Sequence, residues 1–284
     1  MSPGPVVVAV LSHRDPGLLR RMTASVLTGE RSVVLVHHDP RGEPHGLVES
    51  DRLRLVADPQ PCAWGRMNFA EAMVRCVRSA LDIFPDLSWV LLVSGQDYPA
   101  QPVQVTEAAL FGETSDALLR FFPVTDDPGT DVHQWQARGR QRYLHRLRLP
   151  GTHRSVPSPR RHPFRNGTQL FIGDTWLNLN AQASQHLLDQ YDRMTVVRRY
   201  LARCSNPDEA LVPTLLLNDA DHLRVARDRK RFIRWPPGSA HPATLVEDDA
   251  ADILASGDFF ARKVDTATSA VLLDRLDEAI HSVT

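Results

Sequence analysis

The residues able to do chemistry cluster in three short segments, each placed directly after a run of apolar residues. These segments, 37–41, 62–66 and 94–99, hold imidazole, carboxylate, guanidinium and indole side chains. If the apolar runs are neighbouring parallel strands, their carboxyl ends meet at one edge of a sheet, where open α/β folds bind ligands. The pattern therefore predicts one shared crevice, although it does not say what the crevice binds.

A fourth polar group, Asn206-Pro207-Asp208-Glu209, carries two adjacent carboxylates. Asparagine is a favoured N-cap, proline suits the first helical position, and acidic side chains are stabilised at the positive end of a helix. The residues themselves therefore predict a helix start, with Asn206 as its cap, that holds the Glu209 side chain in a defined direction.

Several common catalytic and cofactor-binding motifs are absent from the sequence. It has no G-x-G-x-x-G after the first strand, no P-loop, no G-x-S-x-G and no H-E-x-x-H. The D-x-D at Asp219-Ala220-Asp221 follows a predicted helix, so we interpret it as a solvated helix end and not as a metal site. A divalent cation is a common way to hold a diphosphate, and without one cationic side chains must bind it.

The composition disfavours several classes of protein. The 284 residues carry a formal net charge of −1, which gives no indication of a nucleic-acid or membrane-surface partner. No run approaches the roughly 20 apolar residues that cross a bilayer, and the N-terminus lacks the features of a signal peptide. Cys62, Cys76 and Cys204 show neither metal-ligand nor disulfide spacing, so we expect a reduced, cytoplasmic environment.

The elements that must position the polar groups follow from the apolar pattern of the first half. Buried strands are predicted at residues 6–11, 33–36, 53–56 and 89–93. Helices are predicted after the Asp15-Pro16 start signal and over residues 68–84. Strands that alternate with helices indicate an α/β fold with a mostly parallel central sheet.

The second half of the chain is less regular. Short strands are predicted at 170–172, 176–179 and 232–233, and helices at 181–191, 208–217 and 266–281. Residues 126–167 show no sustained periodicity, so a long functional or mobile loop is predicted there. The sequence contains no repeat and no obvious linker, which favours a single domain.

Seven short motifs then occur in a fixed order along nearly the whole chain. They are Val7-Val8-Ala9-Val10-Leu11-Ser12-His13, Val36-His37-His38-Asp39, Trp64-Gly65-Arg66, Ser94-Gly95-Gln96-Asp97-Tyr98-Pro99, Gly173-Asp174-Thr175-Trp176, Pro207-Asp208-Glu209 and Phe259-Phe260-Ala261-Arg262-Lys263-Val264-Asp265. Each motif is weak alone, but the ordered set resembles the core-2/I-branching β-1,6-N-acetylglucosaminyltransferase family, which includes the peptide O-xylosyltransferases.

The resemblance implies a single-domain glycosyltransferase-A (Rossmann-like) fold and an enzyme that works without a metal. Residues 1–125 would form mainly the half that binds the nucleotide-sugar donor, and residues 126–284 mainly the acceptor half. The expected reaction moves N-acetylglucosamine, xylose or a similar sugar from a UDP-sugar co-substrate to a hydroxyl of a soluble acceptor. It would be a direct displacement that inverts the anomeric carbon and forms a β-linkage, with no cofactor.

The resemblance also assigns the residues of the reaction centre. The Glu of P-D-E is the family's catalytic base, so Glu209 takes this role, since a displacement needs a carboxylate within hydrogen-bond reach of the acceptor hydroxyl. Lys263 matches the lysine that stabilises the leaving diphosphate, and Arg262 beside it is a further donor-binding candidate. The family's second diphosphate-binding arginine aligns near Ala240-His241, so His241, Arg234 or Arg262 would replace it.

Other residues are assigned to the two substrates, each beside a simpler structural interpretation. His37 and Asp39 would face the nucleoside, although Asp39 is also a typical turn former before proline. Asp97 would orient the donor sugar or only brace its turn, and Trp64 would stack on the donor or belong to the core. Trp176 and Trp235, together with Arg142, would contact the acceptor; tryptophan is also common in cores.

Nine arginines lie in the predicted loop over residues 126–167. They occupy positions 138, 140, 142, 146, 148, 154, 160, 161 and 165. One interpretation is a loop that orders around an anionic or polyhydroxylated acceptor, and the other is a solvated, mobile run of charge.

Two competing functions remain open at this point. The first is a non-catalytic module of the same fold that binds a sugar nucleotide or a glycan. The second is a nucleotidyltransferase of related fold, which would require a metal pair at a strand end. Animal members of the family are membrane-anchored Golgi enzymes with disulfides. This chain, without an anchor, is therefore expected to be bacterial and cytoplasmic, with a small-molecule or glycan acceptor and no nucleic-acid partner.

Overall fold

The computed structural model describes residues 3–149, 152, 154–158, 162–165, 167–239 and 241–281. The strands are β1 Val6–Ser12, β2 Ser32–His38, β3 Leu53–Leu55, β4 Trp89–Ser94, β5 Asp97–Pro99, β6 Ala117–Leu118, β7 Phe121–Val124, β8 Arg146–Arg148, β9 Ser155–Pro157, β10 Leu170–Gly173, β11 Asn178–Asn180, β12 Val225–Ala226, β13 Arg231–Ile233 and β14 Phe260–Arg262. The α-helices are α1 Pro16–Val26, α2 Met67–Ile83, α3 Val103–Phe111, α4 Gln134–Gly139, α5 Ala181–Arg193, α6 Thr195–Leu201, α7 Asp208–Leu217, α8 Ala250–Ala255 and α9 Ala270–His281.

The central sheet is mostly parallel, as the sequence predicts. Within the described residues it has the strand order β12-β6-β11-β4-β1-β2-β3. β1 pairs in parallel with both β2 and β4, while β11 runs antiparallel between β4 and β6. The carboxyl ends of β1, β2 and β4 therefore lie at one edge, and the polar segments that follow β2 and β4 are brought to that edge.

Helices cover both faces of the sheet because the β1 side chains alternate between two buried layers. Val7, Ala9 and Leu11 pack into a core with α2, α5 and α7. Val6, Val8 and Val10 face the opposite core, which contains residues of α1, α8 and α9. None of the helices in the described part of the chain is long and apolar enough to cross a membrane.

A second, smaller sheet joins distant parts of the chain beside the crevice. Its order is β13-β14-β5, and β14 pairs antiparallel with β5 so that Arg262 lies opposite Asp97. The predicted donor half and acceptor half therefore share this sheet. It places the end of β14, and with it Lys263, next to the turn that follows β4.

The prediction of a structureless loop over 126–167 is wrong for the described residues. The segment contains α4, a π-helical turn at Arg140–His145 and the antiparallel pair β8–β9. The reason is tertiary: Gln136 Nε2 donates to the Pro123 carbonyl at 2.8 Å, and Arg140 Nε donates to the Thr125 carbonyl at 2.8 Å. Arg140 is buried, so not all of these arginines belong to a solvated run. Arg160 and Arg161 lie outside the described residues.

Most helices and strands that were predicted from sequence periodicity are present in the structure. The elements that the sequence did not predict are short. The helix predicted at 208–217 coincides with α7, and Asp219 after it is exposed and paired with Arg193. The sequence did not predict the helices α3, α6 and α8 or the strands β6, β7 and β12. Such short elements are stabilised by packing more than by their own sequence periodicity.

Candidate active site

Glu209 lies in the first turn of α7, and its backbone N–H donates to the Asn206 carbonyl at 3.2 Å. Asn206 has a left-handed backbone (φ 52°), a conformation that asparagine tolerates. The expectation that Asn206 caps the helix through its side chain is wrong, because α7 has no side-chain cap. The Asn206 amide instead reaches Glu209 Oε1 at 3.4 Å.

Trp64 and Gly65 form a turn that contacts the start of α7. The Gly65 carbonyl accepts from Asn206 N at 3.2 Å, and Gly65 has φ 69°. Trp64 is 69% exposed, and its ring centroid lies 6.2 Å from that of His241. The interpretation of Trp64 as a core residue is therefore wrong, and its indole is available to a ligand.

The Glu209 carboxylate forms an ion pair with Arg142, which lies in the π-helical turn. About a third of the Glu209 side chain is exposed, and 29% of that of Arg142. Burial raises the pKa of Glu209 from its ordinary value, and the Arg142 guanidinium acts in the opposite direction. The residue predicted to bind the acceptor thus contacts the residue predicted to be the base.

Asp208, the neighbour of Glu209, is a buried carboxyl with an unsatisfied oxygen. Its Oδ2 accepts from Thr175 Oγ1 at 3.2 Å, while Oδ1 has no hydrogen-bond partner among the described residues. Burial, followed by the charge of Glu209, raises the pKa of Asp208 to about 7. Asp208 therefore joins the start of α7 to the segment 173–176, and it is poorly placed to meet a substrate directly.

The segment 173–176 contains a paired carboxylate and a buried indole. Asp174 accepts from Arg120 at 3.0 Å and from Arg229 at 2.6 Å. Trp176 is only 8% exposed, and the Arg262 guanidinium lies 4.5 Å from the centroid of its ring. The prediction that Trp176 contacts the acceptor is thus a poor fit, because this indole is packed against Arg262 and has little free surface.

Asp97 is fully buried and does not face the crevice. It pairs with Arg231 and accepts from the Ser94 hydroxyl and from Ser94 N, the latter at 2.8 Å. Arg262 lies 3.7 Å away. Both carboxylate oxygens thus have protein partners, which corrects the donor-contact prediction in favour of the alternative that Asp97 braces its turn.

Arg262 is the last residue of β14, and Lys263 follows it directly. Lys263 is half-buried and forms no ion pair with any carboxylate in the described part of the chain. Arg262 is 13% exposed, its Nε and Nη1 lack hydrogen-bond partners among the described residues, and its burial lowers its pKa. Two consecutive cationic residues thus have donors that no described residue uses.

Three residues were candidates for the family's second diphosphate-binding cation, and the structure makes one of them a poor candidate. Arg234 is held by Asp249 at 2.6 Å, which makes it a poor candidate. His241 is exposed and faces Trp64, and Ala240 lies outside the described residues. His241 and Arg262 therefore remain as candidates.

His37 and Asp39, predicted to meet the nucleoside, are both buried and hydrogen-bonded within the protein. His37 Nε2 accepts from Gln60 N at 3.2 Å. Asp39 accepts from Arg41 through both oxygens and from Cys62 N at 2.8 Å, and the Arg41 contact holds its pKa well below the ordinary range. Direct contact with a nucleoside would require these carboxylate contacts to rearrange, so the turn-forming alternative fits Asp39 better.

Trp235, predicted at the acceptor, lies in a loop whose ends are joined by a bond from Ala243 N to the Arg234 carbonyl at 2.9 Å. It is 44% exposed. Of the aromatic residues that were assigned to substrates, Trp64 and Trp235 are accessible, whereas Trp176 is not.

A separate depression of about 400 Å³ lies at the amino end of β4, away from these groups. Its lining includes Trp89, Leu110, Glu113 and Asn180. Glu113 supplies the charge there, and none of the predicted site residues reaches it, so the crevice at the carboxyl edge remains the candidate site.

Comparison with known protein families gives a match over most of the chain. The model of the family described as Core-2/I-Branching enzyme matches residues 25–259. The match includes Trp64, Asp97, Trp176 and Glu209, and it ends just before Arg262 and Lys263. No match is found among curated proteins.

Proposed function

The chain belongs to the Core-2/I-branching enzyme family, which is a family of glycosyltransferases, and from this premise we propose that it is a metal-independent, inverting transferase. It moves a sugar, N-acetylglucosamine, xylose or a close relative, from a UDP-sugar to an acceptor hydroxyl by direct displacement with a β-linkage.

The proposal rests on one observation. The segment 173–176 contacts a residue beside the predicted base and a residue beside the predicted cation for the leaving group. Thr175 bonds to Asp208 beside the base candidate Glu209, and the next residue, Trp176, packs against Arg262 beside Lys263. Two adjacent residues thus contact the neighbour of a carboxylate, Glu209, and the neighbour of an ammonium group, Lys263, that has no carboxylate partner among the described residues. Displacement at a sugar carbon needs this arrangement, with a base on one side and a cation on the leaving group.

In the proposed step, Glu209 accepts the proton of the acceptor hydroxyl as its oxygen attacks the anomeric carbon. The bond from that carbon to the β-phosphate oxygen breaks, and its electron pair leaves with UDP. Lys263 and Arg262 stabilise the negative charge that develops on the diphosphate.

The distribution of carboxylates supports inversion. Retention through a covalent intermediate requires a nucleophilic carboxylate beside the anomeric carbon. Asp97 and Asp174 each lie against two arginines, and Asp208 is buried. Glu209 is the best exposed of these four carboxylates, which suits a single base in one displacement.

The same pairing supports metal independence. In the turn after β4, the carboxylate of Asp97 is enclosed by Arg231, Arg262 and Ser94. A carboxylate neutralised in this way is a poor ligand for Mg²⁺, which needs free oxygen donors in octahedral geometry. Cationic side chains are the remaining means of holding the diphosphate.

The alternative function, a module that binds a sugar nucleotide or a glycan without turning it over, is favoured by one observation. Arg142 occupies one oxygen of Glu209, which would be consistent with a purely structural ion pair. This alternative predicts saturable UDP binding without UDP release from any UDP-sugar.

The test of the proposed function is the variant Glu209→Gln. It should retain wild-type affinity for UDP and lower UDP release from UDP-N-acetylglucosamine or UDP-xylose, assayed with simple glycosides as acceptors, by about 10²–10⁴-fold. Glu278→Gln, an exposed change in α9, is the matched control and should behave as wild type. Wild-type turnover in Glu209→Gln would rule out the assigned base.

A further inference from the structure

The two oxygens of the Glu209 carboxylate have different partners. Oε2 accepts from Arg142 Nη1 in a close ion pair. Among the described residues, Oε1 has only the long contact of 3.4 Å from Asn206 Nδ2. Good hydrogen bonds of this kind are about 2.9–3.0 Å long, so Oε1 is the oxygen with capacity for a further bond.

The position of Arg142 is fixed by its neighbour in the π-helical turn. Tyr143 is fully buried, and its hydroxyl donates to the Asn206 carbonyl at 2.6 Å. The Tyr200 hydroxyl in turn donates to the Tyr143 carbonyl at 2.8 Å. The backbone that carries Arg142 is therefore tied to the start of α7, and the ion pair does not depend on two freely mobile surface side chains.

The charged groups around Glu209 come from three places. Arg142 approaches from the π-helical turn together with the un-ionised Tyr143, Asp174 from the segment after β10, and Asp208 from α7 itself. Burial and the nearby carboxylates favour the protonated form of Glu209, and Arg142 is the group among these that favours the ionised form.

We infer that Arg142 is a positioning residue for the base: it holds Oε2 and keeps Glu209 ionised, so that Oε1 receives the acceptor proton. The inference rests on the proposed function, in which Glu209 is the base. It replaces the sequence-based assignment of Arg142 to the acceptor. In the step, the acceptor O–H bond breaks, its proton binds Oε1, and its oxygen forms the glycosidic bond as UDP leaves with the electron pair.

A titration tests this inference without any substrate. The protein is labelled with glutamate carrying ¹³C at the side-chain carboxyl, and the Glu209 signal is identified by its absence in Glu209→Gln. Arg142→Ala should move the titration midpoint of that signal to higher pH, and Arg142→Lys should restore part of the difference. Arg138→Ala, an exposed change in the same segment, should leave it unchanged. An unchanged midpoint in Arg142→Ala overturns the inference.

Turnover then separates a positioning role from an acceptor clamp. In Arg142→Ala, the acidic limb of kcat/KM should move to higher pH, kcat should fall by at least about tenfold, and KM for the UDP-sugar should stay unchanged. A rise in acceptor KM with an unchanged pH profile would identify a clamp and contradict the inference. If the wild type releases no UDP, the proposed function fails, whereas the titration still decides whether Arg142 keeps Glu209 ionised.

Discussion

The two lysines of the chain differ in their surroundings. Lys230 Nζ lies 2.8 Å from Asp228 Oδ2, whereas Lys263 has no such carboxylate among the described residues. A half-buried ammonium without a counter-ion is costly unless an anion joins it. At the scale of single residues, this difference indicates that Lys263, and not Lys230, is the lysine available to bind an anionic ligand.

Lys263→Ala should therefore weaken UDP binding and lower turnover of the UDP-sugar by about 10²–10³-fold, the usual loss when one donor to developing negative charge is removed. Lys230→Ala is the matched control, because it removes the same charge from a paired position. UDP affinity by calorimetry and UDP release measure the two effects. Equal behaviour of the two variants would contradict the role of Lys263.

At the scale of elements, the turn at Trp64 and Gly65 and the start of α7 form one unit. Gly65 adopts φ 69°, and a Cβ placed there would lie 3.4 Å from Asn206 Oδ1. Side chains are disfavoured in this left-handed conformation. Glycine is thus required where the exposed Trp64 and the base-bearing helix meet.

Gly65→Ala should destabilise the fold by about 1–2 kcal/mol through its positive φ. It should also reduce turnover, because the strained residue is the one whose carbonyl accepts from Asn206 N at the start of α7. Gly257→Ala is a suitable control: it has the same φ of 69° and open space around its Cβ position. Urea unfolding should show similar losses in both variants, and UDP release should fall only in Gly65→Ala. Loss of activity in both variants, or in neither, would contradict a specific role of the Trp64-Gly65 turn in turnover.

At the scale of the whole molecule, the chain is nearly neutral, but its charged side chains are unevenly distributed. The chain has a formal net charge of −1, and Arg120, Arg229, Arg231 and Arg262 form ion pairs with Asp97 and Asp174. Asp228 and Asp258 also lie close enough to Arg229 to interact with it. The small sheet and the segment 173–176 bring these residues together from distant parts of the sequence. Arg262 has guanidinium nitrogens without hydrogen-bond partners, and Lys263 has no carboxylate partner, among the described residues. Their positive charge favours an anionic ligand such as a diphosphate.

UDP should accordingly stabilise the whole protein against thermal unfolding, by about 2.7 kcal/mol at a UDP concentration one hundred times its Kd. Because cationic side chains are proposed to bind the diphosphate, EDTA should not change the shift. Uridine, which lacks the diphosphate, is the control and should stabilise less. A UDP shift that disappears in EDTA and returns with Mg²⁺ would refute metal independence.

The sequence by itself determined the main elements and the family. Strands β1, β2 and β4 are continuous apolar runs, α2 has an apolar face, and α7 begins at a proline and two acids, all of which are local signals. The motif order indicated the family that the match over 25–259 shows. Glu209 and Lys263 were also singled out at this level, because motif identity does not depend on which side chains touch.

Only the tertiary structure decided how the candidate residues face one another. Asp97 and Trp176 are buried and Trp64 is exposed, and none of this could be predicted from residue type, since burial depends on partners such as Arg231 and Arg262 from other elements. Arg142 and Glu209 meet across 67 positions of sequence, inside a segment whose periodicity suggested a loop. Long-range contacts of this kind leave no local pattern, so the pairing of the base with its arginine was visible only in the folded chain.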